Sequence, residues 1–233
     1  YMRLSEFPKM FSQIEEVSVL YNNTEVYFMN ITDAAIQGCG RFMGILSEEK
    51  RQRLKAYRFD EDKALSLYAE LLVHRQARLI LGVSDCDMIF EQNEFGKPFM
   101  QGYPDFHFNV SHTRNAVVAA FSDAPIGIDV EKVRLFDINI ARRFFISQEL
   151  EYVLQATNQD NAFYEIWTKK EAYIKYLGKG LSIPLTSFNV LGNKIKGMIV
   201  TKKIFGYIIS ICGDFVIEDI LIQHADPQEF TLK

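Results

Sequence analysis

The chain of 233 residues has few cysteines, no long apolar run and no excess of positive charge, and each shortage closes off a class of protein. Cys39, Cys86 and Cys212 are odd in number, far apart and at no zinc-binding spacing, which sets aside a disulfide scaffold and a zinc module and leaves reduced thiols in a cytoplasmic protein. No stretch reaches the roughly eighteen apolar residues of a membrane span, and the N-terminus lacks a basic segment followed by a long apolar one. With 26 Lys and Arg against 30 Asp and Glu, the formal net charge is -4, which argues against broad binding to nucleic acid or to an anionic membrane. Any anionic ligand must then be met by a local cluster. A hydrolase triad is missing too: Ser111 and His112 are adjacent on a predicted strand, so their side chains point to opposite faces and cannot readily share a proton.

What is present is a soluble globular composition, 48% hydrophobic and 24% charged, at a length that allows one large domain or two small lobes. Two stretches carry the chemistry. In Ile126-Gly-Ile-Asp-Val-Glu131 the apolar residues alternate with Gly127, Asp129 and Glu131, so a strand puts both acids on one face with Cα atoms roughly 6.5 to 7 Å apart. That spacing suits convergence on one hard cation, and it equally suits a solvated strand face. In Trp167-Thr-Lys-Lys-Glu-Ala-Tyr-Ile-Lys175 a helical stripe of Phe163, Ile166, Trp167, Tyr173, Ile174 and Leu177 is interrupted by Lys170 and Glu171. Glu171 and Lys175 are four apart and share a helix face, as an ordinary ion pair or as an acid completing a cation site beside an ammonium that meets an anion. Gly178-Lys-Gly180 and Pro184 stop this helix.

Upstream, Glu25 to Ile31 reads as a strand, and Ser47-Glu-Glu-Lys50 as a helix start with Ser47 as N-cap. Lys50, Arg51, Arg53, Lys55 and Arg58 follow, forming either a solvated face or an anion site. A second helix runs from about Asp62 to Leu81, with Leu65, Tyr68, Leu72 and Ala77 on its buried side, and His74 reads as a structural residue on it. Asn93 to Pro98 is a turn presenting Lys97, Phe106 to His112 and Ala116 to Phe121 are strands, and so are Ile195 to Phe205 and Tyr207 to Cys212. The end of the chain is less regular. The halves echo each other at a displacement near one hundred residues: Val26 to Ile31 with Ile126 to Glu131, Ser47-Glu-Glu49 with Ser147-Gln-Glu149, and Tyr68-Ala-Glu with Tyr164-Glu-Ile. An internal duplication follows, with an N-terminal lobe 1–124 and a C-terminal lobe 125–233, and a ligand cleft is expected between two such α+β lobes. Such a duplication makes a monomer the economical expectation.

Gly127-Ile-Asp-Val-Glu131 with Trp167-Thr-Lys-Lys-Glu171, Lys175 and Gly178-Lys-Gly180 resembles the 4'-phosphopantetheinyl transferases of the surfactin-synthetase-activating type. The resemblance runs from about Leu46 to Phe188 and takes in Glu94-Phe-Gly-Lys-Pro98, Phe108-Asn-Val-Ser-His112 and Arg143-Phe-Phe145. It implies a pseudo-twofold pair of α+β lobes with coenzyme A and Mg2+, or Mn2+, in the cleft between them. It implies metal ligation by Asp129, Glu131 and Glu171, with Glu171 a ligand, a general base or both. Lys50, Arg53, Ser66 and His112 would surround the 3'-phosphate end, Lys97 and Ser111 would lie near the adenosine, and Lys175 would meet the pyrophosphate. Arg53 and Ser66 stand where the best-known members have lysine and threonine. The implied reaction transfers phosphopantetheine to a serine of an acyl or peptidyl carrier protein and releases 3',5'-ADP. A Mg2+-dependent hydrolase of coenzyme A would need the same acids, and a non-catalytic binding module would not need the whole set.

Overall fold

The computed structural model describes residues 24–192, 194–215 and 220–230. The first twenty residues, which carry little signal in the sequence, lie outside the described part. The first lobe opens with β1 (Glu25–Asn30), followed by α1 (Asp33–Gly38), α2 (Glu48–Lys55) and α3 (Asp60–Leu81). Ser47 caps α2 as expected, its hydroxyl accepting the Lys50 N–H at 3.3 Å, and α3 ends at Gly82 in the left-handed conformation. A short ribbon, β2 (Phe90–Gln92) and β3 (Pro98–Met100), precedes the hairpin of β4 (His107–Thr113) and β5 (Ala116–Ser122). The second lobe repeats the order with β6 (Ile126–Lys132), α4 (Ile138–Phe144), α5 (Ser147–Gln155), α6 (Gln159–Leu177) and the hairpin β7 (Met198–Ile204) and β8 (Tyr207–Gly213).

The repeat extends to the topology. In each lobe the second strand of the hairpin lies antiparallel beside the lobe's first strand, giving β4-β5-β1 in one sheet and β7-β8-β6 in the other. The chain's end departs from its irregular reading, because β9 (Ile222–Ala225) crosses back and pairs in parallel with β1. The strand expected from Ile195 starts only at Met198, after Gly197 turns the backbone at φ 76°.

Period-two alternation decides the layers. Val26 and Phe28 of β1 meet Ile128, Val130, Ile209 and Ile211 of the second sheet in one apolar cluster, so the sheets pack face to face. Tyr27 and Met29 point the other way, to Tyr68 and Leu72 of α3. On the far side of the second sheet, α6 is applied through Phe163 and Ile166 and, two turns further on, Tyr173 and Tyr176. Its approach to β6 is so close that a Cβ on Gly127 would lie 2.1 Å from the Ala172 carbonyl oxygen. Only glycine lets the helix reach the strand there, and the contact brings Glu171 and Lys175 over the acidic face of β6.

Candidate active site

Three elements meet at one point: β6, α6 and the hairpin strand β4 from the other lobe. Phe108 of β4 faces α3, so its alternate residues Asn109, Ser111 and Thr113 turn toward β6. Each takes a partner there. The Asn109 side chain accepts the Ile128 N–H at 2.8 Å, Ser111 donates to Asp129 Oδ1 at 2.8 Å, and Thr113 donates to Glu131 at 3.1 Å. Asn109 and Thr113 were not singled out by sequence, although their alternation with Ser111 on a strand carried the signal.

Lys175 reaches across from α6. Its ammonium donates to Asp129 Oδ1 at 2.7 Å, to Ser111 Oγ at 2.9 Å and to the Ile128 carbonyl at 3.1 Å, which uses all three of its donors. The ion pair expected along the helix with Glu171 is replaced by this longer reach. Asp129 is buried, and its Oδ2 has no hydrogen-bond partner among the described residues. A buried carboxylate oxygen left so is costly, and a cation is the partner its chemistry calls for.

Glu131 and Glu171 are half-buried. Burial and then the Asp129 charge raise both carboxyls above the ordinary range, while Lys175 pulls both back in part. Glu131 and Glu171 therefore each feel the Asp129 charge. Among the described residues, however, no group of three or more His, Cys, Asp or Glu side chains is assembled to hold a metal as it stands. Lys175 is instead seated on Asp129, and Thr113 on Glu131. An all-oxygen donor set with one orphaned oxygen fits Mg2+ or Mn2+ in kind.

The remaining site candidates are less concentrated. His112, on the α3 side of β4, is exposed at its edge; desolvation and then the Lys175 charge hold its imidazole below the usual histidine value, with Asp62 of α3 opposing. Lys50 is partly exposed and its ammonium is 2.8 Å from Glu70 of α3. Arg53 is exposed one turn on, and Ser66 is half-buried on α3. Lys97 departs furthest from a ligand-facing role: its ammonium donates to the carbonyls of Ile126 at 2.9 Å, Lys175 at 2.7 Å and Tyr176 at 3.4 Å, and burial pulls it down to about 8. Lys170, read only as a break in the stripe, is fully buried against a fully buried Glu149 at 2.7 Å and also donates to the carbonyls of Leu185 and Phe188.

Comparison with known proteins finds a family match in each half of the chain. Residues 125–218 match the model of the 4'-phosphopantetheinyl transferase superfamily, and residues 37–123 match that of the 4'-phosphopantetheinyl transferase N-terminal region. Over 152 residues the chain is 40% identical to 4'-phosphopantetheinyl transferase Sfp of Bacillus subtilis (strain 168), covering 64% of this chain and 68% of that protein. This chain belongs to the 4'-phosphopantetheinyl transferase family. The transferase gsp of Aneurinibacillus migulanus is likewise 40% identical, over 162 residues that cover 68% of this chain and 67% of that protein. A more distant relative, the L-aminoadipate-semialdehyde dehydrogenase-phosphopantetheinyl transferase of Xenopus laevis, is 31% identical over 59% of this chain and 51% of its own length. The enzyme is thus a 4'-phosphopantetheinyl transferase of the Sfp type, acting on carrier proteins with coenzyme A. Among its described residues no helix is long and apolar enough to cross a membrane.

Proposed function

We propose that this transferase moves the 4'-phosphopantetheine group of coenzyme A to a serine hydroxyl of an acyl or peptidyl carrier protein in a Mg2+-dependent reaction that releases 3',5'-ADP. The observation that carries the reading is Asp129 Oδ2, buried and without a hydrogen-bond partner among the described residues, on a carboxylate whose charge raises the Glu131 and Glu171 carboxyls and whose other oxygen takes the Lys175 ammonium. Asp129, Glu131 and Glu171 would hold the metal. When bound, it would offset charge on the pyrophosphate oxygens.

The chain's own side chains supply the rest. Glu171, its carboxyl lifted by burial and by Asp129, takes the proton of the carrier's serine hydroxyl directly or through a water. The serine oxygen bonds to the β-phosphorus of coenzyme A as the bond from that phosphorus to the leaving 3',5'-ADP breaks, and Lys175 neutralises the charge on the departing phosphate. Lys50, Arg53, Ser66 and His112 form the 3'-phosphate end. Ser111 and the turn carrying Lys97 border the adenosine, with Lys97 acting through the α6 carbonyls on which its ammonium is seated. The site lies in a cleft between lobes 1–124 and 125–233, related by a pseudo-twofold axis in a monomer, and the matching strand orders support that reading.

Incubation with coenzyme A, Mg2+ and an apo carrier protein should add phosphopantetheine to the carrier's serine and release an equal amount of 3',5'-ADP, as read by mass spectrometry. Activity should vanish with a chelator and return with Mg2+ or Mn2+. Coenzyme A consumed at the same rate without carrier, its fragments free in solution, would make the enzyme a hydrolase.

A further inference from the structure

Glu70 lies on a row that runs the length of α3. Asp62, Ser66, Glu70, His74 and Arg78 follow at four-residue spacing, so each lies beside the next on a ridge that winds round the helix. The charge of Asp62, at the start of the row, acts on His112 across from β4. Beyond Ser66, the carboxylate of Glu70 receives Lys50 from α2 at 2.8 Å on Oε2. Its other oxygen stands 3.6 Å from His74 Nε2, an ion-pair contact rather than a hydrogen bond. His74 is buried, its Nδ1 lies 2.9 Å from Asp85 Oδ1, and its ring packs at 5.3 Å on Phe90 of β2. Arg78 holds the second oxygen of Asp85.

We infer that Glu70 is a positioning residue that sets the enzyme's preference for coenzyme A bearing its 3'-phosphate, by holding the Lys50 ammonium in place, and that His74 and Asp85 fix Glu70 from behind. The inference rests on the assignment of Lys50 to the 3'-phosphate made above. A lysine stem has four rotatable carbons and loses that freedom when its ammonium settles on an anion. Here Glu70 has already imposed the loss, and it takes only one of the three N–H donors, leaving two for phosphate oxygens. Glu70 does not face the phosphate as a bare charge, because its second oxygen is turned to His74. Burial would push its carboxyl up, and the His74 and Lys50 contacts more than reverse this, so the carboxylate form that Lys50 needs is kept. Lys50, Ser66 and His112 sit on three different elements, and the α3 ridge that carries Ser66 holds Lys50 through Glu70 and acts on His112 through the charge of Asp62.

The test is steady-state kinetics with coenzyme A and with 3'-dephospho-coenzyme A as donors, on Lys50→Ala, Glu70→Ala, Glu70→Gln and the double variant Lys50→Ala/Glu70→Ala. Glu70→Ala should raise KM for coenzyme A about fivefold while leaving kcat, and KM for the dephospho donor, within about twofold. Glu70→Gln, whose amide oxygen still accepts the Lys50 N–H, should fall between wild type and Glu70→Ala, and it serves if the alanine variant does not fold. In the double variant the loss should equal that of Lys50→Ala alone. A lower KM for coenzyme A in the Glu70 variants would make the carboxylate a competitor for Lys50, and equal changes for both donors would make it merely structural; either result overturns the inference. If Lys50→Ala itself affects both donors equally, the assignment of Lys50 to the 3'-phosphate has failed. If Lys50→Ala is selective and neither Glu70 variant is, that assignment stands and the positioning role falls.

Discussion

β1 and β6 hold the same place in the two lobes, each beside the second strand of its hairpin and under a long helix, yet they show that helix opposite chemistry. β1 offers Tyr27 and Met29, which disappear into the core with Tyr68 and Leu72 of α3. β6 offers Gly127, Asp129 and Glu131, and α6 answers with Glu171 and Lys175. The edges differ as well: β9 covers the free side of β1, whereas the free side of β6 faces the other lobe, where Asn109, Ser111 and Thr113 meet it. One copy of the repeat closes its strand with apolar packing and backbone pairing. The other leaves a charged strand, one of whose buried carboxylate oxygens has no hydrogen-bond partner among the described residues.

The widest expected gap between the copies is in activity. Asp129→Ala should lower turnover at least about a hundredfold with an unchanged far-UV circular dichroism spectrum. Met29→Ala, on the equivalent face of β1, should instead cost about 2 to 5 kcal/mol of stability and leave turnover per folded molecule intact. If Asp129→Ala keeps wild-type turnover, the division of labour between the strands is broken.

Next in size is the contrast between two lysines. Lys170→Ala strands the fully buried Glu149 carboxylate and should cost about 3 to 5 kcal/mol in urea unfolding. Lys50→Ala removes an ammonium that is 39% exposed and should cost less than about 1 kcal/mol. Similar losses for both would mean that the second lobe's interior ion pair is no more binding than a surface one.

The smallest effect is a pH dependence confined to the first lobe. Desolvation lowers the His74 value, but Asp85 and Glu70 more than reverse it, so the folded state holds the imidazolium more tightly than the unfolded chain. Its contribution is therefore complete below the unfolded value of about 6.5 and is lost as pH rises through the folded one. Wild type should lose about 1 kcal/mol or less between pH 6 and 9 relative to His74→Gln, read from urea midpoints. Glu70 and Asp85, both lowered, add the opposite slope as pH falls below roughly 4.

Local pattern alone was enough for the elements that carry the chemistry. Alternation in Ile126 to Glu131 placed both acids on one face of a strand, helical spacing put Glu171 and Lys175 together, and Ser47 and Gly178 marked a helix start and a helix end, because side-chain period and cap chemistry are properties of a few neighbouring residues. The echo between the halves pointed to two similar α+β lobes, and the strand orders β4-β5-β1 and β7-β8-β6 are alike, although the order itself was not legible in the sequence. Contacts between elements were not legible. That Lys175 bypasses Glu171 for Asp129, that Lys97 is seated on α6 carbonyls, that Lys170 is buried on Glu149 and that Glu70 holds Lys50 each join residues from different elements. The partner of a long charged side chain is set by which groups packing has left without water, and that exists only once strands and helices have come together.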